Sequence, residues 1–240
     1  MPPLAPYSRQ LDYSYAPGLY PAMQALTHQP GLVSRVLVHS RLAGEGADAL
    51  LAACSRLGIR TETADRALRR LSGKDNCYAA AVFRKAAKDL DARGNHLVLV
   101  NPMDAGNLGA ILRAALGLGY TDIALVRPCA DPYEPQAVRA SMGALFQLRL
   151  VEYDSFPNYQ RAQGERQIYP FLLSADARPL SEAARQQKSP HSLVFGNEGS
   201  GLPAEFERLG QPVMIEQSAA IDSYNLAIAA AIGMYAFKTN

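Results

Sequence analysis

The stretch Asp104–Gly119, DAGNLGAILRAALGLG, places one arginine inside a run otherwise built of Leu, Ile, Ala and Gly. At about 100° per residue, Leu108, Ile111, Leu112, Ala115, Leu116 and Leu118 share one face of a helix. Gly109, Ala110, Ala114 and Gly117 make the other face, with Arg113 in its middle. One side therefore packs into a core. The other is stripped of bulk, so that something can approach the backbone closely beside a permanent cation.

Working outward, HLVLV (96–100) reads as the strand before this helix and DIALV (122–126) as the strand after it. Pro135 can open a helix in DPYEPQAVRASMGALF (131–146). Strands are predicted near 147–153, over YPFLLSA (169–175), SLVFGNE (192–198) and VMIEQS (213–218), with a last helix from about Ser223 to Lys238. Apolar strand, turn and helix in alternation predict an α/β fold with a mostly parallel sheet covered on both faces. Ligands bind such sheets outside the carboxyl ends of the strands. DAGNLGAILR, GNEGSGL and IDSYN each follow a predicted strand, so they should converge there.

Upstream, VSRVLVHS (33–40), IRTETA (59–64) and NCYAAAVF (76–83) read as strands. ADALLAACSRLG (47–58) and ADRALRRLSG (64–73) read as helices, the second closed by Gly73. Residues 1–20, rich in Pro and Tyr, are expected to form an irregular arm. A small α/β unit then ends near 84, and the charged segment 85–95, ending in Gly-Asn, suits a linker to a domain over 96–240.

The net charge of +2 over 240 residues does not by itself imply a nucleic-acid partner. The distribution is more telling: ten basic residues lie between Arg56 and Arg93 against five acidic ones, as on a phosphate-contacting surface or a solvated helix face. Cys54, Cys77 and Cys129 fit neither a zinc spacing nor a disulfide framework, which points to a reducing compartment. No signal peptide and no membrane-length apolar run is seen, so a cytoplasmic protein is expected. His28, His39, His96 and His191 are scattered and suggest no triad and no metal site.

From residue types alone, Asn107 can cap the Arg113 helix, and Glu198 within GNEGSG can accept hydrogen bonds or anchor its loop. That loop is not GxGxxG, which argues against a dinucleotide fingerprint. In IDSYNLAIAAAIGMYAF (221–237), Asp222 and Ser223 are candidate caps of a helix apolar on every face, hence buried all round or set in a subunit interface. Such a helix N-terminus also suits an anionic ligand group.

Together DAGNLGAILRAA, LVFGNEGSGL and MIEQSAAIDSYNLAIAAAIGMYAF resemble the three signature motifs of the SpoU/TrmH family of RNA ribose 2′-O-methyltransferases, in the SPOUT superfamily. The resemblance covers about residues 96–238, in the family's order. It implies a sheet closed by a deep trefoil knot, a homodimer with active sites at the interface, and S-adenosylmethionine as cofactor. Gly196, Ile215 and Tyr224 match the cofactor-contacting positions, and Asn107, Arg113, Glu198, Ser223 and Asn225 the catalytic and substrate positions. Residues 15–83 are similar, more weakly, to a small ribosomal-protein-like domain, which implies an RNA-binding domain over 21–84 and a substrate that is ribosomal RNA in preference to transfer RNA. Departures occur at Ala105, Glu216 and Tyr224, and the last two motivate an alternative: a catalytically silent RNA- or ribosome-binding protein on the same fold.

Arg113 as a base would have to lose about 5 pKa units, roughly 7 kcal/mol. Gripping a phosphate beside the 2′-hydroxyl, and steadying the alkoxide that develops there, requires no such shift.

Overall fold

The protein is described by a computed structural model for residues 4–72 and 76–239. It opens with β1 (Tyr13–Pro17), α1 (Leu19–His28), β2 (Val33–Val38), α2 (Glu45–Leu57), β3 (Thr61–Thr63), α3 (Asp65–Ser72) and β4 (Ala79–Arg84). It continues with β5 (His96–Val100), α4 (Ala105–Leu118), β6 (Asp122–Val126), α5 (Pro135–Ala140), β7 (Arg149–Tyr153) and α6 (Phe156–Gln163). Then follow β8 (Gln167–Pro170), β9 (Arg178–Pro179), α7 (Leu180–Arg185), β10 (His191–Phe195), β11 (Val213–Met214) and α8 (Leu226–Thr239). Residues up to Ala86 join Asp131–Gln147 in one unit; Ala87–Ala130 join the chain from Leu148 onward in the other.

In the first unit, among the described residues, the sheet is ordered β1-β4-β2-β3, with β4 antiparallel to β1 and β2, and β3 parallel to β2. Tyr13, Tyr15, Leu37, Leu68 and Val82 share its core. The arm expected over 1–20 is therefore corrected: residues 13–17 are a wholly buried strand, because β4 offers them an antiparallel edge from Arg84 to Ala80. Gly73, expected to close α3, lies outside the described residues.

The segment 131–147, expected within the downstream domain, belongs to this unit. Its apolar side chains find their partners here: Val138 is fully buried, and Phe146 meets the Phe83 ring edge-on at 4.9 Å. Gln29 Nε2 also donates to the Phe146 carbonyl at 3.1 Å. Pro135 does open α5.

The second unit is the parallel sheet that the alternation predicts, ordered β7-β6-β5-β10-β8. β5, β6 and β10 are buried along their whole length, which is why each is apolar after the polar residues that open it. β8 stops at Pro170, and Phe171 makes only a single bridge to Val213. Of the strand expected over 213–218, only Val213–Met214 forms.

Residues 87–95 are not a free linker. Leu90 is buried, Asp91 N–H donates to Asp122 Oδ1 at 2.8 Å, and the Gly94 carbonyl accepts from Arg166 at 2.9 Å. These partners fasten the segment to the strands of the second unit.

Candidate active site

The two helices whose N-termini carry the candidate residues begin in the same way. Asp104 caps α4, its Oδ1 accepting from the Asn107 N–H at 2.6 Å. The expected cap, Asn107, is the third residue of the helix, so its side chain is not spent on the cap. Asn225 caps α8, its Oδ1 accepting from the N–H groups of Ala227 at 2.9 Å and Ile228 at 3.4 Å. α8 consequently starts at Leu226, and Asp222 and Ser223 belong to the loop before it.

Asn225 Nδ2 then donates to Asn107 Oδ1 at 3.1 Å. At the other end Lys238 Nζ donates to the Gly117 carbonyl at 3.4 Å, so α4 and α8 run side by side in the same direction.

The loop after β10 is bound to the loop after β5. The Glu198 oxygens accept from the backbone N–H groups of Met103 and Asp104, each at 3.1 Å. Asn197, which the sequence reading did not single out, donates from Nδ2 to the Asn101 carbonyl at 2.8 Å. Its Oδ1 accepts from the N–H groups of Gly199 at 2.9 Å and Ser200 at 3.1 Å. The only sequence signal for this was an Asn ahead of two glycines. Asn197 and Gly201 exchange backbone hydrogen bonds at 3.1 and 3.0 Å, folding the loop back on Gly196. A Cβ at Gly196 would lie 2.2 Å from the Gly201 backbone, so no other residue fits.

Beside this loop lies a cavity of about 550 Å³, lined by residues 195–202, by Phe171, Val213, Ile215 and Gln217, and by Asp222, Ser223, Tyr224 and Leu226. Its size suits a small molecule. The cavity brings Gly196, Glu198, Ile215, Ser223 and Tyr224 together. The rings of Phe171 and Phe195 stack at 4.2 Å on one wall, and Gly233 of α8 packs so closely on them that a Cβ there would lie 2.8 Å from each. Glu198, Glu207 and Asp222 contribute carboxylates, and among the described residues no Lys, Arg or His lines the space. The field inside therefore favours a ligand carrying positive charge.

Arg113 is not brought into the cavity. It lies on the exposed face of α4 with Ala110 and Gly117, and makes no hydrogen bond or ion pair among the described residues. The opposite face is buried at Leu108, Ile111, Leu112 and Ala115, as the periodicity predicts; Gly109, assigned to the open face, is buried too. α8 is not enclosed all round. Ala230, Met234 and Phe237 are buried, while Ile228 is 52% and Tyr235 61% exposed. Among the described residues no helix is long and apolar enough to cross a membrane.

A family model described as the SpoU rRNA methylase family matches residues 94–235, the stretch that builds the parallel sheet, the cavity and α8. The chain belongs to the SpoU methylase family. The SpoU chain is 34% identical over 141 residues to ribosomal RNA small subunit methyltransferase G 2 of Syntrophobacter fumaroxidans, covering 59% of this chain and 26% of that relative. It is 28% identical over 159 residues to the 23S rRNA (guanosine(2553)-2′-O)-methyltransferase RlmP of Bacillus subtilis, covering 65% of this chain and 62% of the relative. In both cases the match spans less than two thirds of the relative's length. Among solved structures, the SpoU methyltransferase AviRb from Streptomyces viridochromogenes in complex with AdoMet superposes with a TM-score of 0.78 at 25% identity, covering 95% of this chain and 90% of that one. The likeness to AviRb thus extends beyond the SpoU region into the first unit.

Proposed function

We propose that this SpoU chain transfers a methyl group from S-adenosylmethionine to a ribose 2′-hydroxyl of a structured RNA, ribosomal RNA in preference to transfer RNA. The observation that carries the reading is the cavity lined by Gly196, Ile215 and Tyr224, whose rim residues Glu198 and Ser223 lead directly to the joined Asn107 and Asn225. The likeness to RlmP, a 23S rRNA (guanosine(2553)-2′-O)-methyltransferase, and to AviRb in complex with AdoMet supports it.

The residues present fit that cofactor. The aromatic and aliphatic wall suits a nucleobase, and the carboxylates of Glu207 and Asp222 suit a cationic ligand. When bound, S-adenosylmethionine supplies an electrophilic methyl group on a sulfonium. Gly196 lets the loop fold back on itself so that its backbone lines the cavity, while Ile215 and Tyr224 would flank the ligand. Glu198 acts through structure: by holding the Met103–Asp104 turn it fixes where α4 begins, and with it Asn107. Ser223 and Asn225 orient the ribose at the rim, and Arg113 grips the adjoining phosphate and steadies the developing alkoxide.

Because Arg113 stands outside the cavity of its own chain, and Ile228 and Tyr235 face outward on the neighbouring α8, we infer a homodimer with active sites at the interface. The deep trefoil knot and a cytoplasmic location belong to the same reading. The intact Asn107–Asn225 contact favours an active enzyme over a silent RNA-binding protein of the same fold.

The test is incubation of the full chain with ribosomal RNA and S-adenosylmethionine carrying a labelled methyl group, followed by alkaline hydrolysis. A ribose 2′-O-methyl group blocks cleavage at its own phosphodiester, so label is expected in alkali-resistant dinucleotides. Label on a base, or no incorporation with any ribosomal or transfer RNA, overturns the proposal.

A further inference from the structure

The basic stretch noted between Arg56 and Arg93 is divided by the fold, and one part of it leaves the first unit's sheet at the end where an exposed aromatic ring stands. β2 ends at Val38, paired with Ala79 of β4 on one side and Thr63 of β3 on the other. The next residue, His39, therefore has Tyr78 on one flank and the start of α3 on the other. Its N–H donates to the Tyr78 carbonyl at 2.9 Å, and its ring meets Tyr78 edge-to-face at 5.5 Å. The Arg41 N–H donates to His39 Nδ1 at 3.0 Å. Nδ1 is thus an acceptor, and the His39 ring proton sits on Nε2. The ring is locked in place as an edge brace for Tyr78, which remains 36% exposed.

On the other flank the nearby acids are already engaged. Asp65 accepts from the Ser40 N–H at 2.8 Å and the Ser40 hydroxyl at 2.6 Å. These two bonds, the hydroxyl's first, hold its carboxyl below the usual range, with His39, 3.8 Å away, and then Arg41 contributing. Glu62 is paired with Arg35 at 3.3 Å. Arg66 and Arg70, at i and i+4 on the exposed face of α3, have no acidic partner among the described residues, and Arg41 projects from the adjoining turn. A structural salt-bridge network would spend its acids on these arginines. Here they are spent elsewhere, and Arg41, Arg66 and Arg70 are left on the turn and helix that leave the same end of the sheet as the braced ring.

We propose that Tyr78, braced by His39 at the end of the sheet from which Arg41, Arg66 and Arg70 also project, is a stacking platform for an unpaired nucleobase of the substrate RNA, with the arginines on the phosphates near it. The ring supplies a π-face for one splayed base, and the guanidinium groups supply backbone contacts that carry no sequence information. A paired helix cannot use such a ring, because its bases are already stacked. The inference rests on the reading of this chain as an RNA-modifying enzyme, and it adds that the RNA is recognised at a loop or bulge.

The test uses the full chain, a short RNA hairpin with 2-aminopurine in its loop, and a blunt duplex of the same stem. Wild type is expected to bind the hairpin more tightly than the duplex and to quench the 2-aminopurine by stacking. Tyr78→Ala should weaken hairpin binding about tenfold and abolish the quenching, with duplex binding unchanged; Tyr78→Phe should behave as wild type. Arg66→Ala with Arg70→Ala should lower the salt dependence of binding by about 0.7 per arginine removed. Hairpin and duplex bound alike, or quenching retained in Tyr78→Ala, overturns the platform. Calorimetry with S-adenosylmethionine and wild-type methyl transfer are measured alongside. Absent transfer with normal hairpin quenching defeats the proposed function and leaves the platform standing; normal transfer without quenching does the reverse.

Discussion

Asn225 donates to Asn107 Oδ1 at 3.1 Å while its own Oδ1 caps α8. One side chain thus starts a helix and ties it to the neighbouring helix, and its two ends can be separated chemically. Asn225→Asp keeps an oxygen for the cap and loses the donor. It is expected to melt within a degree or two of wild type but to transfer methyl groups much more slowly. Asn225→Ala loses both functions and about 1 kcal/mol of stability as well. Equal activity of Asn225→Asp and wild type, measured with saturating RNA, would remove the contact from the mechanism.

Arg113 lies outside the cavity, so its loss should leave the cofactor site alone. Arg113→Ala is expected to bind S-adenosylmethionine as wild type does in calorimetry and to lose transfer by at least about a hundredfold, the scale of an electrostatic contact made in the transition state. Arg113→Lys keeps the charge without the planar fork and should fall between. Turnover retained in Arg113→Ala would refute the assigned role.

How far the sequence could be read depended on whether the cause was local. β5, β6 and β10 were legible because a strand buried on both faces is apolar over most of its length, as each is after the polar residues that open it. The buried face of α4 followed from its period. β1 was not legible: YSYAP resembles the irregular residues before it, and it is a strand because a distant edge is available to pair with it. The destination of residues 131–147 was hidden for the same reason. Asp104 and Asn107 are both good caps, and only the helix start at Ala105 decides between them. At the site, the residue types were readable, but the use of Glu198 as a clamp on a remote turn, and of Asn197 as the centre of its own loop, required knowing which loop lies opposite.

The outward side of α8 offers a third prediction. Ile228 and Tyr235 lie seven positions apart, two turns along one face, and both are largely exposed. If a second copy covers them, Ile228→Glu with Tyr235→Glu buries two charges at the interface and should yield a monomer in sedimentation with an unaltered circular dichroism spectrum. S-adenosylmethionine affinity and methyl transfer are both expected to drop. A wild-type chain that sediments as a monomer at micromolar concentration would overturn the homodimer outright.

The last prediction concerns acid. His96 and His191 are fully buried at the first positions of adjacent parallel strands, β5 and β10. His96 Nε2–H donates to the Asp91 carbonyl at 2.8 Å, so its Nδ1 accepts from the Tyr159 hydroxyl at 2.9 Å. His191 Nδ1–H donates to the Lys188 carbonyl at 3.2 Å, so its Nε2 accepts from the Tyr120 hydroxyl at 2.8 Å. Both rings are neutral, and burial above all pushes each down to about 4 from 6.5. In the unfolded chain they regain the ordinary value. Between these limits the unfolded state binds more protons, so stability rises with pH across the window and is lost as pH falls from about 6.5 towards 4. Asp122 acts in a lower window. Burial raises its pKa, but Arg149 and the Asp91 N–H outweigh that and hold it below the usual carboxylate value, so its contribution disappears only under stronger acid. Urea midpoints recorded from neutral pH downward should therefore begin to fall near pH 6.5, before the carboxylates titrate, reporting a loss of unfolding free energy on the order of 5 kcal/mol in all. His191→Gln, which can still donate to the Lys188 carbonyl, should flatten that first decline. A midpoint that stays level until the carboxylate range would show that the two rings accept protons within the fold.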